Sequence, residues 1–162
     1  MTKHPDPEPT PTATDPTDQL LRGFIGYQLK RAYMVIQAAV AEILEEHDLK
    51  VTGFSALAII IENPGLTQTA LAQALKIERS SVVVIVDTLE NRDLITRNKV
   101  ETDRRQYALM PTLRGRRLFD RLAAAIQHRE RGLIAKMNDD EQQILTEGLR
   151  AIERAGRRSS DT

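Results

Sequence analysis

Over most of the chain, apolar residues recur at spacings of three and four, the period of one face of an α-helix. Leu21, Ile25, Leu29, Ala32, Ile36, Val40 and Ile43 carry that rhythm from Asp18 to about His47 and predict one long N-terminal helix. Asp18 stands near its start, where a carboxylate favours the positive end of the helix dipole. A helix this long exceeds what a small compact domain needs, so part of it is expected to pack on a second subunit. Thr52 is the expected cap of a second helix that turns Phe54, Leu57, Ala58 and Ile61 inward and stops at Asn63-Pro64-Gly65. Thr67 caps a third, short helix from Gln68 to about Leu75, with Leu71, Ala72 and Leu75 inward. A fourth helix, from about Arg79 to Arg92, has Val82, Ile85, Val86 and Leu89 as its inward stripe.

The period then changes. Leu94–Asn98 and Gln106–Met110 read as short strands joined by a polar, Arg-bearing loop, Lys99–Arg105. Thr112 is the expected cap of a long fifth helix ending near Met137. Asn138 caps a sixth, with Glu141 completing a capping box and Ile144, Leu145, Leu149 and Ile152 as its apolar stripe. Two short helices joined by a brief turn make a helix-turn-helix, and the hairpin directly after them makes it winged. The fold class is therefore mainly α, a winged helix-turn-helix with a two-stranded β-hairpin wing and N- and C-terminal dimerisation helices. The expected organisation is a Pro-rich disordered tail over 1–17, a dimerisation helix over 18–50, and the winged domain over 51–112. C-terminal dimerisation helices follow over 113–156, then a disordered tail over 157–162.

Charge sharpens the picture. The 162 residues carry 23 cationic and 23 acidic side chains, but unevenly. Residues 1–19 hold Lys3 against Asp6, Glu8, Asp15 and Asp18. Residues 92–117 hold Arg92, Arg97, Lys99, Arg104, Arg105, Arg114, Arg116 and Arg117 against Asp93, Glu101 and Asp103. That second stretch is an electrostatic footprint suited to a polyanion, or else a solvated surface. No cysteine is present, which removes disulfides and thiolate chemistry. The longest apolar runs, such as Val82–Val86, are too short for a membrane span, and the N-terminus lacks a signal-peptide core, so a cytoplasmic protein is expected.

Catalytic chemistry is poorly represented. His4, His47 and His128 share no metal-binding spacing, and no Gly-rich phosphate loop or nucleophile elbow occurs. No enzyme activity, cofactor or metal is expected. The start of the fourth helix is richer. Arg79 is placed to pair with guanine, and Ser80 and Ser81 to bond phosphates or bases, at the end of a recognition helix that reaches base edges. Val83 and Val84 point away from the inward stripe. Contact of Val83 with thymine methyl groups, and packing of Val84, are the expected uses.

Residues 66–115 resemble the core of the MarR family of winged-helix regulators. Leu66-Thr67-Gln68-Thr69-Ala70-Leu71-Ala72 is similar to its third helix, Ser80-Ser81-Val82 to its recognition-helix start, and Leu89–Ile95 to the passage into the wing. Asp103-Arg104-Arg105, followed by Leu109, Thr112 and Gly115, is similar to its wing signature. With the six-helix order, the resemblance spans about residues 18–155. It departs at Val83, Val84 and Thr88, where relatives often carry Thr and Arg, and at Asp93, where Gly is usual. Asp tolerates the left-handed backbone better than most residues.

The resemblance implies a homodimer on a double-stranded DNA operator, with Thr67 and Gln68 on phosphates and Arg97 among the contacts. It also implies Asp103 bracing the wing and Arg105, with Arg104, entering a minor groove. It implies a ligand crevice lined by the first, second and fifth helices, where Arg22, Tyr27, Arg31 and Phe54 would meet a small anionic aromatic ligand or an acyl-CoA thioester. Gly26–Ala32 resembles members that sense hydroxycinnamoyl thioesters; the same residues also suit a dimer or surface role. The expected function is a ligand-responsive transcription regulator, a repressor. The alternative is a winged-helix protein-interaction module without sequence-specific DNA readout.

Overall fold

The computed structural model describes residues 17–100 and 103–159, with the backbone alone at 100, 103–106 and 157–159. The expectations for the tail over 1–16 and for 160–162 lie outside the described residues. Two compact units divide the chain at Met34/Val35.

In the first unit the expected single helix is interrupted. A 3-10 turn, Leu21–Gly23, is followed by Phe24 in extended backbone (φ −101°, ψ 126°), and only then does α1 (Ile25–Glu45) begin. The cause is local. Asp18 uses its carbonyl to accept from Leu21 and Arg22, and its carboxylate to hold Arg22 (2.7 Å) and the Tyr27 hydroxyl (2.7 Å). These bonds fasten a tight turn around Asp18, and Gly23 at its end adds little helix propensity.

In the second unit, the end of α1, α2 (Val51–Glu62), α3 (Gln68–Leu75), α4 (Arg79–Asn91), the wing and α5 (Leu113–Leu133) share one core. Leu44, Leu57, Ile60, Leu71, Val82, Val86, Leu89, Leu94, Leu109 and Leu122 are fully enclosed. α1 ends in a reversal: Leu49 N–H reaches back to Leu44 O, and Asp48 takes a left-handed φ of 49°. The chain thus enters α2 at Val51. Lys50 is the cap residue and lends no side chain, so the expected Thr52 cap is replaced. The buried face of α2 is Gly53, Ala56, Leu57 and Ile60, with Phe54 and Ile61 only half-buried. α2 is apolar nearly all round, so helical period alone does not select its inward side.

The other caps fall where the sequence places them. Thr67 Oγ1 accepts from Ala70 N–H and Thr112 Oγ1 from Gly115 N–H. Asn138 and Glu141 bond each other's backbone amides at 2.9 and 2.8 Å, the reciprocal capping box that starts α6 (Asp139–Ser159). α5 stops at Leu133, short of the expected Met137, and a turn with Met137 N–H on Ile134 O links it to α6. α6 continues as helix through Ser159, past the expected end at 156. None of its described side chains is buried.

Candidate nucleic-acid interface

The turn between α3 and α4 is short because Lys76 ends α3 in the left-handed conformation (φ 53°) and Ile77 N–H closes onto Ala72 O. Glu78 then caps α4 with its backbone only. Ser81 N–H turns back to Glu78 O at 3.0 Å, and with no side-chain cap the amides of Arg79 and Ser80 are left for an external acceptor, as at helix N-termini that receive phosphates. Arg79, Ser80 and Ser81 are exposed there, while Val82, Val86 and Leu89 anchor the opposite side in the core. Thr67 and Gln68, at the start of α3, are half-buried.

Val83 is 39% and Val84 65% exposed. The expected packing of Val84 is not found. It lies on the wall of an open cleft of about 500 Å³ shared with Leu49, Gly53 and Ile77. Thr88, at one of the positions departing from the family pattern, spends its hydroxyl on Val84 O (2.8 Å).

The wing is longer in its strands and shorter in its loop than expected. β1 (Ile95–Val100) pairs antiparallel with β2 (Asp103–Pro111) from Ile95↔Pro111 to Val100↔Asp103, with a bulge between Lys99 and Val100. The strands take in Lys99, Val100 and 103–105 of the loop expected over Lys99–Arg105, and 101–102 lie outside the described residues. So do the side-chain roles expected of Asp103, Arg104 and Arg105. The segment before α3 joins the wing as a third line: Gly65 N–H and Leu109 N–H exchange bonds with Leu109 O and Leu66 O at 2.8 and 3.0 Å. This fixes the wing base against the helix-turn-helix.

Arg97 is the main departure at the site. Its guanidinium pairs with Asp87 and, at 3.2 Å, with Glu90, both on α4. The side chain expected on DNA clamps β1 to α4, a link that no sequence spacing announces. Arg92 has a similar unforeseen role. It donates to the carbonyls of His47 and Asp48, each at 2.7 Å, and so caps the reversal after α1. Asp93 adopts the left-handed backbone, φ 54°, where the family pattern has Gly.

Of the residues expected around a ligand, Arg22 and Tyr27 are tied to Asp18 in the first unit. The Arg22 guanidinium, and after it the Tyr27 hydroxyl, holds the Asp18 carboxyl below its usual range; that carboxylate in turn raises the Tyr27 hydroxyl. Arg31 is exposed with no ion pair among the described residues. In the second unit Phe54 stacks on Phe119, with centroids 5.1 Å apart.

A short helix, a tight turn and a second helix with an exposed N-terminal end, followed by a paired hairpin, define a winged helix-turn-helix DNA-binding protein. Residues 47–106 match the sequence model of the MarR family. The chain is 33% identical over 143 residues to the proposed transcriptional regulatory protein for the hcr operon of Thauera aromatica, covering 88% of this chain and 84% of that one. Its backbone is similar to the transcriptional repressor CouR bound to a 23-mer DNA duplex. The TM-score is 0.78 at 30% identity, with 86% of this chain and 99% of that one covered. It is also similar to CouR from Rhodococcus jostii RHA1 bound to p-coumaroyl-CoA, with TM-score 0.70, 27% identity and coverage of 83% and 95%. The chain belongs to the MarR family and is a transcriptional regulator.

Proposed function

We propose that the protein is a repressor that binds a pseudo-palindromic operator as a homodimer and is released by a small aromatic acid or its acyl-CoA thioester. The observation that carries this reading is the start of α4, where exposed Arg79, Ser80 and Ser81 and open amides sit on a helix anchored from behind by Val82 and Val86. That arrangement is what a recognition helix needs: a rigid base and a polar leading end. CouR, similar along most of its length, is a DNA-bound repressor in one structure and a p-coumaroyl-CoA complex in another. Thr67, Gln68 and the wing arginines Arg104 and Arg105 supply further contacts in this reading. Arg97 does not, because two carboxylates already hold it.

For the effector, Arg22 is neutralised by Asp18, while Lys30 and Arg31 are exposed without an ion pair among the described residues of the first unit; we assign the role to Arg31, whose planar guanidinium suits a carboxylate or phosphate. A ligand shifts the equilibrium only by its preference for the state that does not bind DNA. The test is a gel shift on operator DNA with p-coumaroyl-CoA and p-coumaric acid as probes. Wild-type protein is expected to bind and then release on addition of one probe. Arg31→Ala is expected to bind equally and release less. Binding no tighter to a selected operator than to random DNA would contradict the reading and favour a protein-interaction module. A normal response of Arg31→Ala would remove Arg31 from the ligand site.

A further inference from the structure

At the far end of α4 from its DNA-reading start, the second unit has a cavity of about 660 Å³. Twelve helical steps separate Arg79 from Asn91, about 18 Å at 1.5 Å per residue. The cavity is walled by the reversal after α1, by Arg92 and Leu94, and by the first turns of α5. Four guanidinium groups line it: Arg92, Arg114, Arg117 and Arg121. The last three are spaced by three and four residues on α5 and so share one face. Arg92 is fixed by its two bonds to the carbonyls of His47 and Asp48. Arg114 lies 4.0 Å from Asp93, in an exposed and weak pairing. Arg117 and Arg121 make no ion pair among the described residues.

None of these four arginines is among the expected DNA contacts, and none is buried in the core. Four cations concentrated in a concave site repel one another and favour an occupant of opposite charge. Glu46 and Asp48 also line the cavity, so a monoanion meets opposing carboxylates as well as the arginines. A ligand with two or more negative charges and several acceptor oxygens suits it better, because each guanidinium presents a planar fork of donors that matches phosphate.

We infer that this cavity is a binding site for a phosphate-bearing small polyanion, separate from the DNA-reading face. A nucleotide and the nucleotide end of a coenzyme A thioester share the diphosphate that the arginines would grip. Because the site lies at the back of α4, its occupant need not compete with DNA for the same side chains.

The experiment is calorimetric titration of the full chain at 0.15 M salt with inorganic diphosphate, ADP, coenzyme A and benzoate. One diphosphate-bearing probe is expected to bind at one site per protomer, and benzoate at least tenfold more weakly. The double variant Arg117→Ala/Arg121→Ala is expected to weaken that binding at least tenfold with an unchanged thermal midpoint. Arg121→Gln alone provides the same reading with a smaller loss if the double variant is unstable. Arg79→Ala is expected to leave it unchanged, which keeps this result independent of the DNA-binding proposal. Affinity rising from ADP to coenzyme A identifies the coenzyme A moiety as the source, and equal affinity identifies a nucleotide. Absence of binding by all three phosphates up to millimolar concentration overturns the inference. So does undiminished binding in both arginine variants, equal binding of benzoate, or an equal loss in Arg79→Ala.

Discussion

Gly115 shows how tightly single residues define the base of the wing. A Cβ built there would lie 2.0 Å from the Leu94 carbonyl oxygen, which also accepts from Thr112 N–H at 3.0 Å. The obstacle is backbone, so a side chain cannot be accommodated by a rotamer change. Gly115→Ala is expected to lower stability by about 2–3 kcal/mol, the upper range for overpacking, measured by urea denaturation. A second residue prediction concerns readout. Val83 is part-exposed beside Ser80 on the leading half of α4. Val83→Ala is expected to weaken operator binding with little change in thermal midpoint. Operators with uracil in place of thymine at the contacted positions, which lack only the methyl, should then bind more weakly to wild type. Equal affinity for thymine and uracil operators would remove Val83 from base contact. Much at this scale was legible from local chemistry: the caps Thr67, Thr112 and Asn138, and the left-handed Asp93. The clamp of Arg97 on Asp87 and Glu90 was not, because it depends on which strand lands on which helix.

Among the elements, α6 depends on its capping box. Its first turn holds Asp139, Asp140 and Glu141, which favour the positive end of the dipole, and the Asn138–Glu141 pair satisfies two amides that the helix leaves open. Asn138→Ala is expected to cost about 1 kcal/mol, seen as faster amide exchange in the first turn of α6 ahead of the core helices. Exchange unchanged in that turn would mean that contacts elsewhere govern it. The helices with one clear apolar stripe, α3, α4 and α6, were legible in number and place. α2 was legible as a helix but not in its buried face, since Val51, Phe54, Leu57, Ile59, Ile60 and Ile61 surround it. The break at Phe24 was hidden because the apolar rhythm runs through it unchanged, while the Asp18 carboxylate bonds that impose the turn leave no periodic trace.

On the scale of the whole molecule, apolar surface remains uncovered in each unit. In the first, Leu20, Phe24 and Ile25 are exposed; in the second, Ile144, Leu145, Leu149 and Ile152 along α6. A contiguous apolar stripe on a helix with no buried residue among those described is costly in water and marks an interaction surface. In the proposed account it is covered by a second copy of the chain. Deleting residues 138–162 is therefore expected to give aggregation or unfolding in size-exclusion chromatography with light scattering, and a folded, well-behaved monomer would rule α6 out of the interface. No described helix is long and apolar enough to cross a membrane.

Two copies related by a two-fold axis present two recognition helices, so the operator should repeat with the same symmetry. The most direct measurement is selection of a random duplex library by the purified full-length protein at 0.15 M salt, followed by sequencing of the bound pool. The account predicts enrichment of an inverted repeat whose half-sites lie about one helical turn apart, bound by two chains per duplex. A bound pool with no shared sequence, or with single unpaired half-sites, would contradict it.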